Sequence, residues 1–285
     1  MSGKKIAFLF LVLDNPNFPR IWDSYFAGHE SQINVYIHPK FPDGNTWRNR
    51  NAITDIQPTE WGFIISAYLA LLSAAIEDPT NTKFIFVSES CLPVKSFDKM
   101  YSRIMADKNE SFVKKMKIKR YDMENRLTPT ILKALNPDML IKHYARMCLS
   151  RNHVKQLLYK YNYPLIKLFK EMHVGDEFFL STISPMRDCT SFAVVHDDWD
   201  SIEVKKTGIK SSIRTLYEKQ EDDTDIDCSY AISALQKHYN DISKNPKTIY
   251  KLSQTDKDSI KNTRSFFYRK FAKTSDIEVF IMSLL

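Results

Sequence analysis

The chain has 285 residues and a formal net charge of +7, and 43% of its residues are hydrophobic. These proportions are ordinary for a globular protein and exclude a disordered chain. Only 6 residues are glycine, and neither a Walker pattern nor a G-x-G-x-x-G motif occurs, which argues against a glycine-rich phosphate-binding loop.

The N-terminal segment imitates a signal peptide, because two lysines precede an apolar run over residues 6–13. No small-residue cleavage site follows, since Asp14-Asn15-Pro16 ends the run. The run is also far shorter than the ~20 residues that span a bilayer. We therefore expect a buried first strand in a soluble, cytoplasmic protein, with a Golgi location only if a membrane anchor has been removed.

The four cysteines lie far apart in the sequence, so their spacing matches neither a zinc ribbon nor a redox-active cysteine pair. Buried free thiols in a reducing compartment are the simpler interpretation.

The first ninety residues alternate between short buried strands and helices. The pattern predicts strands over residues 5–13, 32–38 and 83–88, and helices over residues 18–27 and 61–77. This alternation is typical of βαβ units and predicts an α/β fold with a central, mostly parallel sheet flanked by helices. Ligands of such sheets bind beyond the carboxyl ends of the strands. Asp14, His38 and Ser88 to Ser90 follow strand ends and are candidates for one shared crevice.

The middle of the chain is less regular. Residues 112–126 are basic, with Lys114, Lys115, Lys117, Lys119 and Arg120 close together, and form either a solvated loop or a surface for an anionic ligand. Helices are predicted over residues 147–159, 164–172 and 226–239, a strand over residues 191–196, and an acidic hinge over residues 219–227. No internal repeat is present, so we expect a single domain.

Two adjacent carboxylates, Asp176 and Glu177, follow Gly175 and precede an apolar run. Acidic residues at such a position commonly cap a helix, whose first N–H groups lack partners. The pair alone therefore does not establish a catalytic site.

Residues 244–273 concentrate the positive charge of the chain. They hold nine basic residues against the two acids Asp256 and Asp258, and this excess of seven equals the net charge of +7. The nine are Lys244, Lys247, Lys251, Lys257, Lys261, Arg264, Arg269, Lys270 and Lys273. A concentrated positive field suits phosphate groups. We favour a small phosphate-bearing ligand over nucleic acid, because no nucleic-acid-binding motif occurs and Phe266-Phe267-Tyr268 is of a buried type.

Seven segments occur together in an order that resembles one family. They are Ile6 to Leu13, Gly28-His29-Glu30 with Tyr36 to Pro39, Glu60-Trp61-Gly62, Phe86 to Pro93, Asp176-Glu177, Asp198-Trp199, and Phe267 to Phe271. The chain resembles the core-2/I-branching N-acetylglucosaminyltransferase family, which includes peptide O-xylosyltransferase and plant and bacterial relatives. The resemblance runs from about residue 5 to residue 272.

The resemblance implies an inverting, metal-independent glycosyltransferase with a GT-A-like fold, a UDP-sugar donor and a glycan or glycoprotein acceptor. Glu177 matches the family's catalytic base, and Asp176 is left as a helix cap. A positioned carboxylate that removes a hydroxyl proton during attack typically contributes ~10²–10⁴-fold to the rate. The donor sugar, GlcNAc or xylose, stays open.

The resemblance also implies binding residues. Lys270 matches one of two family cations that bind the donor diphosphate, with Arg269 beside it. Lys247 aligns with the family arginine, which puts bidentate phosphate binding in doubt because lysine offers a single point charge. The nucleotide is expected at Phe10, Leu11, Val12, His38, Pro39 and Lys40, where Lys40 departs from a family acid. The acceptor is expected at Trp199, Asp198 and Glu89.

A metal site has formal matches in Asp223-Thr224-Asp225 and Asp225-Ile226-Asp227, and Asp197-Asp198 is a further pair of acids. Hard cations do require such oxygen clusters. The position that usually carries Asp-x-Asp is Ser88-Glu89-Ser90 here, so we predict no metal and no cofactor.

Two other functions remain open from the sequence: a catalytically inactive protein of the same fold that binds nucleotide sugars or glycans, and a basic nucleic-acid-binding protein. Within the glycosyltransferase hypothesis, residues 5–110 form the nucleotide-binding half, 111–243 the acceptor and catalytic half, and 244–285 the basic diphosphate-binding tail. We expect neither a nucleic-acid partner nor a membrane span.

Overall fold

The computed structural model describes residues 3–48, 51–118, 126–159, 163–183, 189–190, 192–198, 209, 211–212, 215, 231–233, 246–273 and 275–285. The strands are β1 Lys5–Val12, β2 Ile33–Pro39, β3 Asn81–Ser88, β4 Leu92–Pro93, β5 Ser111–Phe112, β6 Lys115–Met116, β7 Lys142–His143, β8 Cys148–Ser150, β9 Cys189–Thr190, β10 Val195–Asp197 and β11 Phe267–Arg269. The helices are α1 Pro19–Phe26, α2 Ile65–Ile76, α3 Phe97–Met105, α4 Pro129–Ala134, α5 Arg151–Tyr159, α6 Tyr163–Glu171, α7 Phe179–Ile183, α8 Gln254–Asn262 and α9 Ser275–Met282.

The central sheet has the strand order β2-β1-β3-β8-β5-β9. Strand β1 runs parallel to both β2 and β3, and β5 runs parallel to β9, whereas β8 is antiparallel to its two neighbours. The prediction of an α/β fold with a mostly parallel central sheet is therefore confirmed.

Strand β1 is apolar from Ile6 onward because helices cover both faces of the sheet. Its side chains alternate between two apolar layers, as the two-residue repeat of a strand requires. Ala7 and Leu9 pack with α2 and the helices α5 to α7, while Phe8 and Phe10 pack with α1 and α3. The ring centroids of Phe8 and Phe26 lie 4.9 Å apart in an edge-on contact.

Two predicted helices were too long at their N-terminal ends. The helix predicted from residue 61 begins at Ile65, because Glu60 and Phe63 pair in a tight turn that places Gly62 at φ +85°. The helix predicted over residues 147–159 is strand β8 followed by α5. A short buried apolar run has no periodicity that separates strand from helix.

A second, three-stranded sheet has the order β10-β11-β4 and brings the C-terminal tail against the chain just beyond β3. The predicted acidic hinge lies outside the described residues, as does the helix predicted over residues 226–239 apart from helical residues 231–233. None of the described helices is both long enough and apolar enough to cross a membrane. The predicted division into three functional parts stays a prediction.

Candidate active site

The carboxyl ends of β1, β2 and β3 meet at one edge of the sheet, since these strands are parallel. Backbone hydrogen bonds continue past the strand ends: Lys40 N–H donates to the Val12 carbonyl at 2.9 Å and Phe41 N–H to the Leu13 carbonyl at 2.7 Å. The edge therefore carries the predicted crevice residues Asp14, His38 and Ser88 to Ser90 together.

The predicted nucleotide residues differ in exposure. Phe10, Val12, His38 and Pro39 are buried, Leu11 is half-buried and Lys40 is exposed. The Phe10 ring packs edge-on against two tryptophans of the core, Trp22 at 4.8 Å and Trp47 at 5.0 Å between centroids. Its side chain is thus part of the core.

His38 is fully buried at the end of β2. Its Nε2 accepts a hydrogen bond from the Gln57 N–H at 2.9 Å, which places the proton of the neutral ring on Nδ1. Burial lowers the pKa of His38, so the ring is uncharged at neutral pH. Nδ1 finds no partner among the described residues, a costly situation for a buried donor.

The corner Ser88 to Ser90 is tied to the basic tail by three hydrogen bonds. Phe271 N–H donates to the Ser90 carbonyl at 3.1 Å, while Asn17 donates its N–H to the Glu89 carbonyl at 2.9 Å and its Nδ2 to the Phe271 carbonyl at 2.8 Å. These contacts bring Lys270 to the carboxyl end of β3. Burial and the Arg269 charge lower the pKa of Lys270, while the nearby Glu89 opposes the shift. Glu89, which the sequence analysis assigned to the acceptor, therefore lies near Lys270, which it assigned to the donor diphosphate.

The other two predicted diphosphate cations are engaged with acids. Arg269 is buried and its Nη1 lies 2.7 Å from the Asp197 carboxylate. Lys247 forms an ion pair with Asp256, whose carboxylate also closes the capping box with Ser253 at the start of α8.

The acidic pair lies in a 3₁₀ turn, Gly175–Glu177, between α6 and α7. Val174 N–H donates to the Gly62 carbonyl at 2.7 Å, and Val174 itself adopts φ +59°. A Cβ at Gly62 would stand 2.6 Å from His173, and one at Gly175 would stand 2.1 Å from the Phe169 carbonyl oxygen. The two glycines thus allow the Glu60-Trp61-Gly62 turn and the acidic turn to pack closely together.

Glu177 is the accessible member of the pair, with 24% of its side chain exposed. Its Oε2 lies 2.8 Å from Arg126 Nη1 and 3.6 Å from Lys142 Nζ. Two cations therefore fix the position of the carboxylate, which is still partly exposed to solvent.

Asp176 is buried, and burial together with the negative charge of Glu177 raises its pKa to about 7, against the opposing charges of Arg146 and Arg126. It does not occupy the predicted cap position, because Phe178 is the residue that precedes α7. Asp176 is instead a carboxyl group that exchanges its proton near neutral pH.

On the expected acceptor side, Asp198 is buried and its carboxylate hydrogen-bonds with the Tyr268 side chain. Trp199 lies outside the described residues. An aromatic group that the sequence analysis did not assign to the acceptor lies on the surface instead: Trp61 is 69% exposed, and the His173 ring is 4.9 Å from it and 5.7 Å from Phe63.

Sequence reasoning missed three cations, Arg126, Lys142 and Arg146. Arg126 ends the basic segment that the sequence offered as an anion surface. Lys142 and Arg146 are isolated basic residues in a segment without a motif, so no local signal points to them.

Acids that could hold a metal do not converge in the described part of the chain, where no group of three or more His, Cys, Asp or Glu side chains is arranged for it. The formal Asp-x-Asp matches at residues 223–227 lie outside that part. Asp197 forms an ion pair with Arg269, and Asp198 hydrogen-bonds with the Tyr268 side chain.

The structure thus combines a mostly parallel α/β sheet with a carboxylate turn and a set of cations. The family model of the Core-2/I-Branching enzyme matches residues 6–221, and the chain belongs to this family. The resemblance inferred from the motifs is confirmed.

A curated relative, glycosyltransferase BC10 of Oryza sativa subsp. japonica, is 32% identical over 123 residues. The match covers 39% of this chain and 30% of the relative, so the chain spans less than a third of that protein's length. Among solved structures, the crystal structure of A197 from STIV matches 59% of this chain and 79% of its own, at 7% identity and a TM-score of 0.29.

Proposed function

We propose that the protein transfers a sugar, GlcNAc or xylose, from a UDP-sugar to a hydroxyl group of a glycan or glycoprotein, with inversion at the anomeric carbon. Glu177 is the general base. The observation that carries this proposal is the Glu177 carboxylate itself, partly exposed, fixed by Arg126 and adjacent to the buried Asp176.

The proposed reaction is a single displacement. As the acceptor oxygen attacks the anomeric carbon, the Glu177 carboxylate takes the proton of that hydroxyl. The bond between the anomeric carbon and the phosphate oxygen breaks on the opposite face, and its electron pair leaves with UDP. Attack opposite to the leaving group inverts the configuration.

Negative charge develops on the UDP oxygen as it leaves and requires fixed positive groups. Lys270 is the predicted cation that no carboxylate contacts directly within the described residues, and it lies at the carboxyl end of β3, where the nucleotide is expected. A corner that carries its own cations supports a reaction without a metal. Turnover should therefore survive EDTA, and a large loss that Mg²⁺ or Mn²⁺ restores would contradict this mechanism.

Glu177→Gln tests the base, because the amide keeps the size of the side chain but cannot accept the proton. Turnover should fall by at least ~10²-fold with UDP binding retained. Glu171→Gln, an exposed acid at the end of α6, is the matched control and should behave as wild type. Full activity of Glu177→Gln would remove the assignment. A wild-type protein that binds UDP-sugars but turns none over is instead a nucleotide-sugar-binding protein.

The donor is identified by a thermal-shift screen across UDP-sugars, because a ligand that binds only the folded state raises its stability. Hydrolysis of the stabilising donors, followed by transfer to a panel of glycan acceptors, then defines the reaction.

A further inference from the structure

Arg146 lies beside the carboxyl end of strand β3, the strand that pairs with β8. No motif in the sequence predicts it at this position. Strand β8 is antiparallel to β3, with Ile85 opposite Cys148, and Phe86 N–H donates to the Met147 carbonyl at 3.0 Å. One more step along both chains places Arg146 across from Val87, immediately before the Ser88 to Ser90 corner.

The surroundings of Arg146 combine burial with charge. Burial disfavours the charged form, but Tyr68, Asp197, Cys91 and Asp176 outweigh it, so the pKa of Arg146 is raised and the side chain stays cationic. Its guanidinium makes no direct ion pair or hydrogen bond with any side chain that the structure describes, and the residue as a whole is half-buried. A guanidinium in this position has donors available for a ligand.

Arg146 and Lys270 share the corner, since the Arg146 charge is one of the causes that lower the pKa of Lys270. The neighbouring cations are committed elsewhere: Arg269 to Asp197 and Lys247 to Asp256. Within the described part of the chain, no carboxylate contacts either Arg146 or Lys270 directly. Two like charges disfavour each other until an anion lies between them.

We propose that Arg146 binds the donor diphosphate together with Lys270. This inference rests on the proposed function. Arginine presents a planar fork that matches two phosphate oxygens at once, whereas lysine gives a point charge. Arg146 thereby supplies the bidentate contact that is in doubt at Lys247, which is paired with Asp256.

During transfer, Arg146 acts on the leaving group. When the bond from the anomeric carbon to the phosphate oxygen breaks, both electrons stay on that oxygen, and the guanidinium stabilises the added charge without donating its proton away. Loss of one such contact typically lowers kcat by ~10²–10³-fold.

The test measures binding separately from turnover. Calorimetry at low salt gives the Kd of UDP, inorganic pyrophosphate and uridine for wild type, Arg146→Met, Arg146→Lys and Arg103→Met. Arg146→Met should weaken UDP and pyrophosphate about 10- to 100-fold, as expected for a lost hydrogen bond between charged groups, and leave uridine unchanged. Arg146→Lys should lose less. Arg103→Met removes an exposed arginine paired with Glu110 and should change none of the three.

The outcomes separate the two proposals. Unchanged pyrophosphate and UDP affinity in Arg146→Met, or no binding of either ligand by wild type, would overturn the role of Arg146. If Arg146→Met weakens pyrophosphate binding but the wild-type protein transfers no sugar, the anion site is supported and the proposed function is contradicted. If Arg146→Met does not fold, Arg146→Lys decides, since it keeps the charge but not the fork of the guanidinium. Affinities of Arg146→Lys for pyrophosphate and UDP that equal those of wild type would contradict a bidentate contact.

Discussion

Arg126 and Glu177 lie 51 residues apart in the chain and meet in an ion pair of 2.8 Å between Nη1 and Oε2. The pair fixes the direction in which the carboxylate points. If Glu177 is the base, Arg126→Ala should lower kcat about 10- to 100-fold, because a misplaced catalytic group costs rate, and should leave the donor KM nearly unchanged.

The matched control for Arg126→Ala is Arg103→Ala on α3, which removes an ion pair of similar length, 2.9 Å, between Arg103 and Glu110. Both pairs are partly exposed, so each variant should lose no more than ~1 kcal/mol of stability. Steady-state kinetics and urea denaturation give the two readouts. Equal kcat values for the two variants would contradict a positioning role for Arg126.

Asp176 should make the protein less stable as the pH rises. Its pKa is about 7 in the folded protein, well above the 3.8 of an exposed carboxyl, so between these values the folded state holds a proton that the unfolded chain has lost. Between about pH 4 and 7 unfolding therefore releases this proton, and rising pH favours unfolding. Asp176→Asn removes the effect, and its Tm relative to wild type should be higher at pH 8 than at pH 5.

Asp138→Asn is the control for this pH dependence, because Asp138 is exposed on the surface. Its Tm difference from wild type should be the same at both pH values. A Tm difference for Asp176→Asn that does not grow between pH 5 and pH 8 would show that Asp176 is ionised in the folded protein throughout.

Gly62 and Gly28 separate backbone strain from close packing. Both have positive φ, +85° and +80°, so an alanine at either position is strained by roughly 1 kcal/mol. A Cβ at Gly28 meets nothing within 4 Å, whereas one at Gly62 comes within 2.6 Å of His173. Gly62→Ala should therefore lose at least ~1 kcal/mol more than Gly28→Ala, an overpacking cost. Urea denaturation measures this difference.

Gly62→Ala should also lower kcat, because the displaced His173 begins the segment that leads into the acidic turn. Gly28→Ala should leave kcat unchanged. Equal losses of stability in the two variants would mean that the Glu60-Trp61-Gly62 turn yields without moving His173.

The elements that sequence analysis located best are those whose pattern is local. Strands β1 and β3 are mostly buried runs, and β2 is buried at every second residue before its fully buried end. Each of the three is found within about two residues of its predicted bounds. Strand β8 was missed because its three residues continue directly into α5, and only pairing with β3 distinguishes them from a first helical turn. Pairing is a tertiary contact that the local pattern does not contain.

The site divides in the same way. Glu177 was predicted as the base because it matches the acidic pair of the family, and Lys270 was predicted as a diphosphate cation because it matches the family's Arg-Lys-Phe motif. Both roles stay predictions. Arg126 and Arg146 reach the site from distant positions in the chain, and any surface arginine has the same local signature. The assignment of Lys247 rested on alignment alone, which does not reveal the ion pair with Asp256.

Trp61 provides a test on the acceptor side that rests on the proposed function. Its ring is 69% exposed, which is unusual for the largest side chain, and it contacts His173, four residues before the proposed base Glu177. An exposed aromatic face is a natural platform for the apolar face of a sugar. Trp61→Leu, which keeps apolar bulk but removes the ring, should raise the acceptor KM several-fold with the donor KM and the Tm unchanged, while Trp61→Phe should largely restore it. Steady-state kinetics with each substrate varied in turn measures this, and equal acceptor KM values for Trp61→Leu and wild type would show that the acceptor binds elsewhere.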